Sequence, residues 1–509
     1  MKKIFYIASL ACAMLLSGCD DFLTVESPDF STDKFWRNKK DVEAGLSAVY
    51  GQLENRTSKY GFAEHKSPIE DFRGDDVDYG IGADQYPEFK DLVHFVNHNE
   101  NATAKEFWMN CYNGINYANN VIYGIGKVQS EGEKLSDEDY NYLMGEAVFL
   151  RAYYHMELLM NWKDIIIRED YLTSESQVHK PVSPRIDAWE FVCAELDRAS
   201  SLLPESRPAE EAGRVTKNAA YAYLGMAYLT RGYEESAQKD AYFSEAMSSF
   251  NQIKGAALEA NYVSMFDGSN KNCKESIFEI QFTDTESDGA YHKHYLQYWS
   301  TPTGWLDGWD ILRMAPMLHD AYLSEGRIAE NGRYDERAYA SMIFDCPEYN
   351  VPNSIVFETT YDKIFPSPEG LEYCFKKYFP DSKDEHWRAI SVNVPLMRYA
   401  NVMLMKAEIM NEEGVNQNRS EAINLINQVR SVHGKLPAMQ GSSYQAVKEQ
   451  IEHERLVEFA LEGYRFYDLR RWGKLEEAMR KAGRTNFTPD KAWLPIPLME
   501  IQSNNAVNP

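Results

Sequence analysis

The segment from Lys217 to Ile253 constrains the fold more than any other part of the sequence. Apolar residues recur at helical spacing on both sides of a polar break around residues 234–240, which predicts two helices joined in a hairpin. Gly225 and Ala246 fall where the helices would cross and would let the two backbones approach. The pattern is similar to a tetratricopeptide repeat whose turn is about nine residues longer than in the usual repeat of about 34 residues. One hairpin cannot bury its apolar face alone, so we expect further copies.

Helical periodicity returns in other segments of the chain. These segments run from Trp108 to Tyr123, from Tyr140 to Met160, from Trp189 to Leu203 and from Leu396 to Arg430. Together with the first hairpin they supply about four helix pairs, which is enough for a short array. We therefore predict a mostly α fold, a tetratricopeptide-like α-α superhelix.

Residues 256–394 interrupt this helical pattern. Short strand patterns, such as Ser276 to Phe282, alternate with loops rich in glycine, proline and aromatic residues. We predict an irregular layer here, covering one side of a helical body formed by residues 35–255 and 395–480. Long loops on a rigid scaffold often bind ligands, so this layer is the expected ligand-facing part of a single domain spanning residues 19–509.

The first nineteen residues resemble a bacterial lipoprotein signal. Lys2 and Lys3 precede an apolar stretch that is too short to remain as a membrane span, and a Leu-Ser-Gly-Cys motif then ends at Cys19. We expect residues 1–18 to be removed and Cys19 to carry fatty-acyl chains such as palmitate, which would anchor the protein to a membrane. The alternative is an ordinary secretory signal followed by a chance cysteine.

Charge and motif content exclude several classes of function. The formal net charge of -25 would repel a phosphate backbone, so we predict no nucleic-acid ligand. The five cysteines after Cys19 show no C-x-x-C spacing, and the eleven histidines show no recurring metal-ligand spacing. Hydrolase, nucleotide-binding and dinucleotide-binding motifs are absent from the sequence. We predict no catalytic residue, no metal site and no cofactor, with a structural calcium ion as the one alternative.

That alternative concerns an acidic loop between Lys66 and Tyr86. Glycines and a proline break the helical pattern, and the loop carries five aspartates and two tyrosines. The aspartates could bind calcium, accept hydrogen bonds from sugar hydroxyls or form a solvated surface, although their spacing differs from that of an EF-hand. We assign Asp76 and Tyr79 as one edge of a ligand site.

The densest aromatic run lies between Tyr291 and Trp309. Proline and glycine residues interrupt it, so its rings cannot form one buried helical stripe. Exposed rings can stack on the faces of sugars while polar side chains bind the hydroxyl groups at the edges. The alternative is an aromatic cluster packed beneath a loop. The predicted ligand-binding rings are Tyr295, Trp299, Trp305 and Trp309.

Charged and aromatic residues are also dense from Glu452 to Trp472. Acids and arginines three and four residues apart favour pairing along helices, Gly463 is suited to end one helix, and Asp468 is suited to cap the next. An active site could have this composition. We instead interpret the segment as an arginine–carboxylate network that holds the last helices on the array.

Several motifs carry a family resemblance. The most specific runs from Glu454-Arg455 through Glu462-Gly463 and Arg465-Phe466 to Asp468-Leu469-Arg470-Arg471-Trp472. Others are Arg398-Tyr399-Ala400-Asn401, Glu146-Ala147 with Leu150-Arg151-Ala152, Phe35-Trp36, and Trp493 to Pro497. This ordered set resembles the SusD/RagB family of outer-membrane nutrient-binding lipoproteins. The resemblance covers nearly the whole chain after the signal and is weakest from about Ser264 to Ser391.

The resemblance implies a cell-surface protein that is lipid-anchored in the outer membrane and faces the cell exterior. Such a protein would capture oligosaccharides and deliver them to a SusC-like TonB-dependent transporter, chemically unchanged. Two other functions remain open: peptide binding within the same kind of import system, and a helical-repeat scaffold without a small ligand. No family motif lies between residues 264 and 391, so the resemblance assigns no ligand contact to a particular ring.

Overall fold

The computed structural model describes most of the chain after residue 34. The described residues are 35–54, 61–284, 293–305, 307–352, 354–355, 359–366, 371–380 and 389–507. Cys19, the predicted lipidation site, and Tyr291, the start of the aromatic run, lie outside them. In this part of the chain no helix combines the length and the apolar composition needed to cross a bilayer.

Helices make up most of the described chain, which confirms the predicted mostly α fold. They are α1 (Lys39–Gly51), α2 (Phe62–Asp71), α3 (Pro87–Val93), α4 (Ala102–Glu131), α5 (Asp137–Asn161), α6 (Arg185–Leu202), α7 (Lys217–Glu234), α8 (Lys239–Phe250), α9 (Leu296–Ser300), α10 (Pro316–Leu323), α11 (Glu336–Ser341), α12 (Tyr361–Ile364), α13 (Tyr399–Asn411), α14 (Arg419–Val429), α15 (Tyr444–Glu458), α16 (Arg465–Arg471), α17 (Leu475–Lys481) and α18 (Leu498–Ser503). The strands are β1 (Val77–Tyr79), β2 (Ser276–Ile280), β3 (Leu312–Met314), β4 (Met342–Phe344), β5 (Tyr373–Phe375) and β6 (Val394–Arg398).

The hairpin of α7 and α8 has the predicted crossing. A Cβ atom added at Gly225 would lie 2.3 Å from Cε1 of Phe250, so only glycine lets the two helices approach this closely. Ala246 is fully buried beside the crossing. The connection spans only residues 235–238, which contradicts the predicted long turn. The additional residues extend the two helices instead.

Consecutive helices pack side by side to form the array. α1 contacts α4 and α5, and contacts then run from α4 to α5, α6, α7 and α8 in turn; both α7 and α8 meet α13, which packs on α14 and α15. Side-chain caps begin several of these helices: Asn101 Oδ1 accepts from the Ala104 amide at α4, and Ser136 Oγ accepts from the Asp139 amide at α5. The helical part of the fold is therefore continuous from α1 to α15, although residues 251–398 separate α8 from α13 in the sequence.

Strands of the irregular layer take part in three antiparallel pairs, β1 with β3, β2 with β6 and β4 with β5, in which β1 comes from the acidic loop outside the layer. β2 lies within the predicted strand Ser276 to Phe282. β6 leads directly into α13, which ties the layer to the array. Buried side chains of the layer and of the array form one shared hydrophobic core.

The arginine–carboxylate network is present and is larger than predicted. Arg398 Nη1 donates to Glu275 Oε1 at 2.6 Å and to Glu458 Oε1 at 2.9 Å, and Arg337 Nη1 donates to Glu454 Oε2 at 2.7 Å. With His433, these six residues are buried, and we call them the charge network: Glu275, Arg337, Arg398, His433, Glu454 and Glu458. Three of them precede the dense motif in the sequence by more than fifty residues, so the motif alone did not reveal them.

Asp468 corrects one detail of that prediction. It lies inside α16 rather than at its N-terminus, where Tyr464 occupies the capping position. Its carboxylate accepts from Arg455 Nε at 2.6 Å and also pairs with Arg471. Gly463, with φ of 79°, lies in the turn between α15 and α16, but α15 already ends at Glu458 with Phe459 at its C-cap, so the prediction that Gly463 ends this helix is wrong.

Candidate functional site

The structure brings the two segments of the predicted site together. β1, from the acidic loop, pairs with β3, which follows the aromatic run; Val77 lies opposite Met314 and Tyr79 opposite Leu312. The pairing continues beyond the strands, where the amide of Gly82 donates to the carbonyl of Asp310 at 3.0 Å. The acidic loop and the end of the aromatic run therefore share one surface.

Glycines permit this close approach. A Cβ atom at Gly82 would lie 1.7 Å from the carbonyl oxygen of Trp309, and one at Gly80 would lie 2.1 Å from that of Asp310. Any larger residue would push the backbones apart. The two glycines therefore position the acidic loop directly against Trp309.

Residues 301–305 and 307–310 belong to a short loop whose ends are close together. The Asp310 amide donates to the Thr301 carbonyl at 2.9 Å, and the Trp309 amide donates to the Tyr298 carbonyl at 3.0 Å. Asp307 and Asp310 adopt left-handed backbone conformations with φ of 55° and 51°, which turn the chain sharply on both sides of Trp309. Asp310 also forms an ion pair with Arg313 of β3, through Nε at 2.7 Å, which anchors the loop.

Four half-buried rings lie on and around this loop, and we call them the ring cluster: Tyr79, Tyr86, Trp305 and Trp309. The centroids of Tyr86 and Trp309 are 6.5 Å apart. Trp305 stacks on Phe379 with centroids 5.7 Å apart, and the Tyr79 hydroxyl lies 3.1 Å from Nε2 of His94. Packing fixes part of each ring while the rest stays accessible. This is the condition that a stacking platform for a ligand must meet.

Two of the predicted rings are not part of this surface. Trp299 is 0% exposed and Tyr295 is 7% exposed. The Trp299 ring packs against Phe89 of α3, with centroids 5.4 Å apart. The assignment of Trp299 and Tyr295 as ligand-binding residues is therefore wrong for this structure, because both rings fill the core beneath the loop. For these two residues the alternative of a packed aromatic cluster is correct.

Asp76 is also misassigned. Asp76 is only 3% exposed. This burial, together with the negative charge of the neighbouring Asp75, raises the pKa of the Asp76 carboxyl to about 7. Other acids of the loop hold the fold together: Asp71 Oδ1 accepts from the Gly463 amide at 3.1 Å, and Asp75 Oδ1 accepts from Arg465 Nε at 2.6 Å. Burial makes these acids structural rather than ligand-facing, so Tyr79 is the residue of that predicted edge that reaches the surface.

The sequence interpretation missed several residues at the surface. Tyr86 contributes a ring to the cluster, and Ile81 exposes 58% of its surface beside it. Lys90 of α3 lies 5.2 Å from the Tyr79 ring and pairs with Asp84. The sequence signal that could have revealed this surface is the presence of Gly80 and Gly82 two residues apart. Closely spaced glycines next to a strand mark a place where another backbone approaches. Asp78, Asp84 and Asp307 add exposed carboxylates around the rings.

Among the described residues, two groups of side chains have metal-ligand spacing, and neither includes the acidic loop. One comprises Glu275, His433 and Glu458, and the other Glu325, His453 and Glu454. Arginines already occupy both: Arg398 donates to Glu275 and Glu458, and Arg430 to Glu325 and Glu454. These positive charges oppose binding of a cation. Calcium binding at the acidic loop stays a prediction.

His433 carries a charge within the first group. Its Nδ1 lies 2.9 Å from Glu458 and its Nε2 lies 3.0 Å from Glu275. Burial opposes protonation, but Glu458 and Glu275 outweigh it and raise the pKa of His433 to about 9. The group is therefore a buried ion cluster in which both ring nitrogens of His433 donate to carboxylates.

Comparison with known proteins identifies the family. A family model described as "SusD family" matches residues 274–508, and a second, described as "Starch-binding associating with outer membrane", matches residues 21–229. The chain belongs to the SusD family. The two matches leave only residues 230–273 uncovered between them, so they include both ends of the helical array.

Relatives of this SusD family protein extend over its whole length. SusD-like protein P2 of Formosa agariphila is 23% identical over 530 residues, which cover 100% of this chain and 99% of that protein. The crystal structure of a SusD superfamily protein from Bacteroides vulgatus is 25% identical, has a TM-score of 0.78, and the match covers 93% of this chain and 99% of that one. Surface glycan-binding protein A from Bacteroides thetaiotaomicron, solved in complex with laminarihexaose, is 19% identical with a TM-score of 0.70, and the match covers 91% and 97% of the two chains. These structures share the fold with this protein.

Proposed function

We propose that this protein captures oligosaccharides at the cell surface through the ring cluster. The observation that carries the proposal is the pair of half-buried tryptophans, Trp305 and Trp309, held on a closed loop beside Tyr86. A relative with the same fold is named a surface glycan-binding protein and was solved with a bound laminarihexaose, which supports a carbohydrate as the ligand class.

The chemistry of the surface suits an uncharged glycan. Ring faces stack on the C–H groups of sugars, and each contact contributes about 0.5 to 1.5 kcal/mol. The exposed carboxylates of Asp78, Asp84 and Asp307 accept hydrogen bonds from hydroxyl groups, and Lys90 donates them. A few such contacts make a weak site. Retention then requires several sites along one polysaccharide, or a partner protein.

Delivery and location complete the proposal. Acylation of Cys19 anchors the protein in the outer membrane with its helical body at the cell exterior, and a SusC-like TonB-dependent transporter receives the oligosaccharide. The protein binds the glycan without cleaving it; Asp310, the buried acid next to Trp309, is committed to an ion pair with Arg313. The family description of starch binding and association with the outer membrane supports this role.

Affinity electrophoresis over a panel of polysaccharides tests the ligand class and the site together. Trp305→Ala and Trp309→Ala should each weaken retention by the cognate glycan about three- to tenfold, and the double variant should migrate as if no glycan were present. Tyr117→Ala, which removes an exposed ring on α4, should leave retention unchanged. A double variant that is retained as strongly as the unmodified protein would refute the assignment of the ring cluster. Retention of no polysaccharide, together with binding of peptides, would replace the glycan by a peptide.

A further inference from the structure

A cavity of about 110 Å³ lies among the helices, in a place the proposed function does not use. Its walls come from α5, α7, α13, α15 and α16 and from Tyr464 and Trp493, and they include none of the residues of the ring cluster. Four of the lining side chains are aliphatic or thioether groups: Met160, Met226, Leu229 and Met405. The cavity is therefore apolar over much of its surface.

One wall carries an arginine whose charge is not balanced locally. The Nη1 atom of Arg470 donates to the Met160 carbonyl at 2.8 Å, and its guanidinium lies 3.8 Å from the centroid of the Trp493 ring. Within the part of the chain that the structure describes, Arg470 forms no ion pair with a carboxylate, whereas the adjacent Arg471 pairs with Asp468 and Glu408. Nε and Nη2 of Arg470 remain as donors along one edge of the guanidinium.

Neighbouring groups increase this local excess of positive charge. Arg185 lies over the same Trp493 ring at 4.2 Å, and Arg73 lies over Phe466 at 4.0 Å, close to Arg470. Two acids line the cavity, and both are already paired: Arg185 Nε donates to Glu234 Oε2 at 2.8 Å, and Asp468 pairs with Arg455 and Arg471. Burial and the charges of Arg185 and Arg73 outweigh Glu234 and lower the pKa of Arg470 to about 9.

A cation in this position is costly without a counter-ion. A half-buried arginine such as Arg470 gains most from a planar anion that accepts two parallel hydrogen bonds. The protein has an acidic composition, with a net charge of -25, yet none of the described residues places a carboxylate on this guanidinium. A ligand anion would supply the missing partner.

We propose that this cavity binds a short aliphatic carboxylate. The carboxylate lies against Nε and Nη2 of Arg470, and the aliphatic chain lies against Met226 and Met405. The volume sets the size of the ligand, because a cavity of roughly 150 Å³ accommodates benzene and this one is smaller. Propionate has the required charge and fits within that limit.

Thermal unfolding of the full chain tests the proposal directly. Sodium propionate should raise the Tm by a few degrees in a concentration-dependent way, because a ligand that binds only the folded state stabilises it. Sodium chloride at the same sodium concentration, and propionamide, which keeps the shape but lacks the charge, should produce no comparable rise. An equal rise with chloride would show a general salt effect, and an equal rise with propionamide would show that the charge is irrelevant. Either result overturns the proposal, as does a larger rise with phosphate.

Two variants of the cavity and one control variant locate the effect. Arg470→Gln should abolish the response to propionate. Arg333→Gln should preserve it, since Arg333 also lies 3.8 Å from an aromatic centroid, that of Tyr339, but pairs with Glu336. Met226→Phe, which fills the cavity and keeps Arg470, should weaken the response. Propionate stabilisation that survives in both Arg470→Gln and Met226→Phe would place the ligand elsewhere and refute this site.

Discussion

The charge network and the ring cluster are both dense in residues that commonly form functional sites, yet their environments are opposite. In the charge network, Arg337, Glu454 and Glu458 are fully buried, and each is paired with a group of opposite charge. In the ring cluster, Trp305 and Trp309 are half-buried and stand on a short loop beside exposed carboxylates. The charged groups of the charge network are paired with one another inside the protein, whereas the rings of the ring cluster and the carboxylates around them remain accessible.

This contrast separates stability from binding. The buried acids of α15 are neutralised by Arg337, Arg398 and His433 from other segments once the helices pack, so the mixed-charge motif is one part of a buried network. For aromatic residues, the local sequence does not indicate whether the ring is buried or exposed. Trp299 and Trp309 come from the same run, but one fills the core and the other reaches the surface. Substitutions should therefore change stability in the charge network and ligand retention in the ring cluster.

The largest expected effect follows from removing one charge of the network. Glu458→Gln should lower the free energy of unfolding by about 3 to 5 kcal/mol, because it leaves Arg398 and His433 buried without their shared partner. Urea unfolding measures the change. Glu348→Gln breaks a partly exposed pair with Arg327 and should cost at most about 1 kcal/mol. Similar losses in the two variants would contradict the distinction between the buried network and surface pairs.

The pH dependence of the free energy of unfolding is a second test of the charge network. The pKa of His433 is about 9 in the folded protein and about 6.5 in an unfolded chain, so its contribution is complete below pH ~6.5 and is lost as the pH rises through ~9. The expected loss is about 3 kcal/mol. Lys377, whose pKa burial lowers to about 8, also titrates in this range, so the unmodified protein and His433→Gln must be compared. Equal slopes of stability against pH in the two proteins would show that His433 is not charged in the fold.

A smaller effect is expected where the acidic loop meets the aromatic loop. Gly82→Ala places a methyl group against the Trp309 carbonyl and should cost about 1 to 3 kcal/mol, and the displaced Trp309 should weaken glycan retention. Gly126→Ala, in α4, meets no atom within 4 Å and should be neutral or slightly stabilising. Unfolding and affinity electrophoresis on both variants measure the two effects. Undiminished retention by Gly82→Ala would show that the contact of the two loops does not shape the site.

Much of the architecture was predictable because its signals are local. The crossing of α7 and α8 depends on Gly225 and Ala246, which lie within one hairpin, and the helical periodicity of the array is repeated along the chain. The length of the turn between α7 and α8 was mispredicted. A polar residue at the end of a helix cannot be distinguished by periodicity from a polar residue in a turn. Periodicity therefore does not locate the boundary between the helix and the turn.

The sequence by itself determined the helical array, the structural role of the mixed-charge segment and the family resemblance, because periodicity, charge spacing and ordered motifs are properties of neighbouring residues. Only the tertiary structure decided which aromatic and acidic residues reach the surface. Trp299 is covered by Phe89, Asp75 is paired with Arg465, and Tyr79 is brought near Trp309 by strand pairing across more than two hundred residues. Exposure depends on contacts with distant segments, and those contacts exist only after the chain has packed.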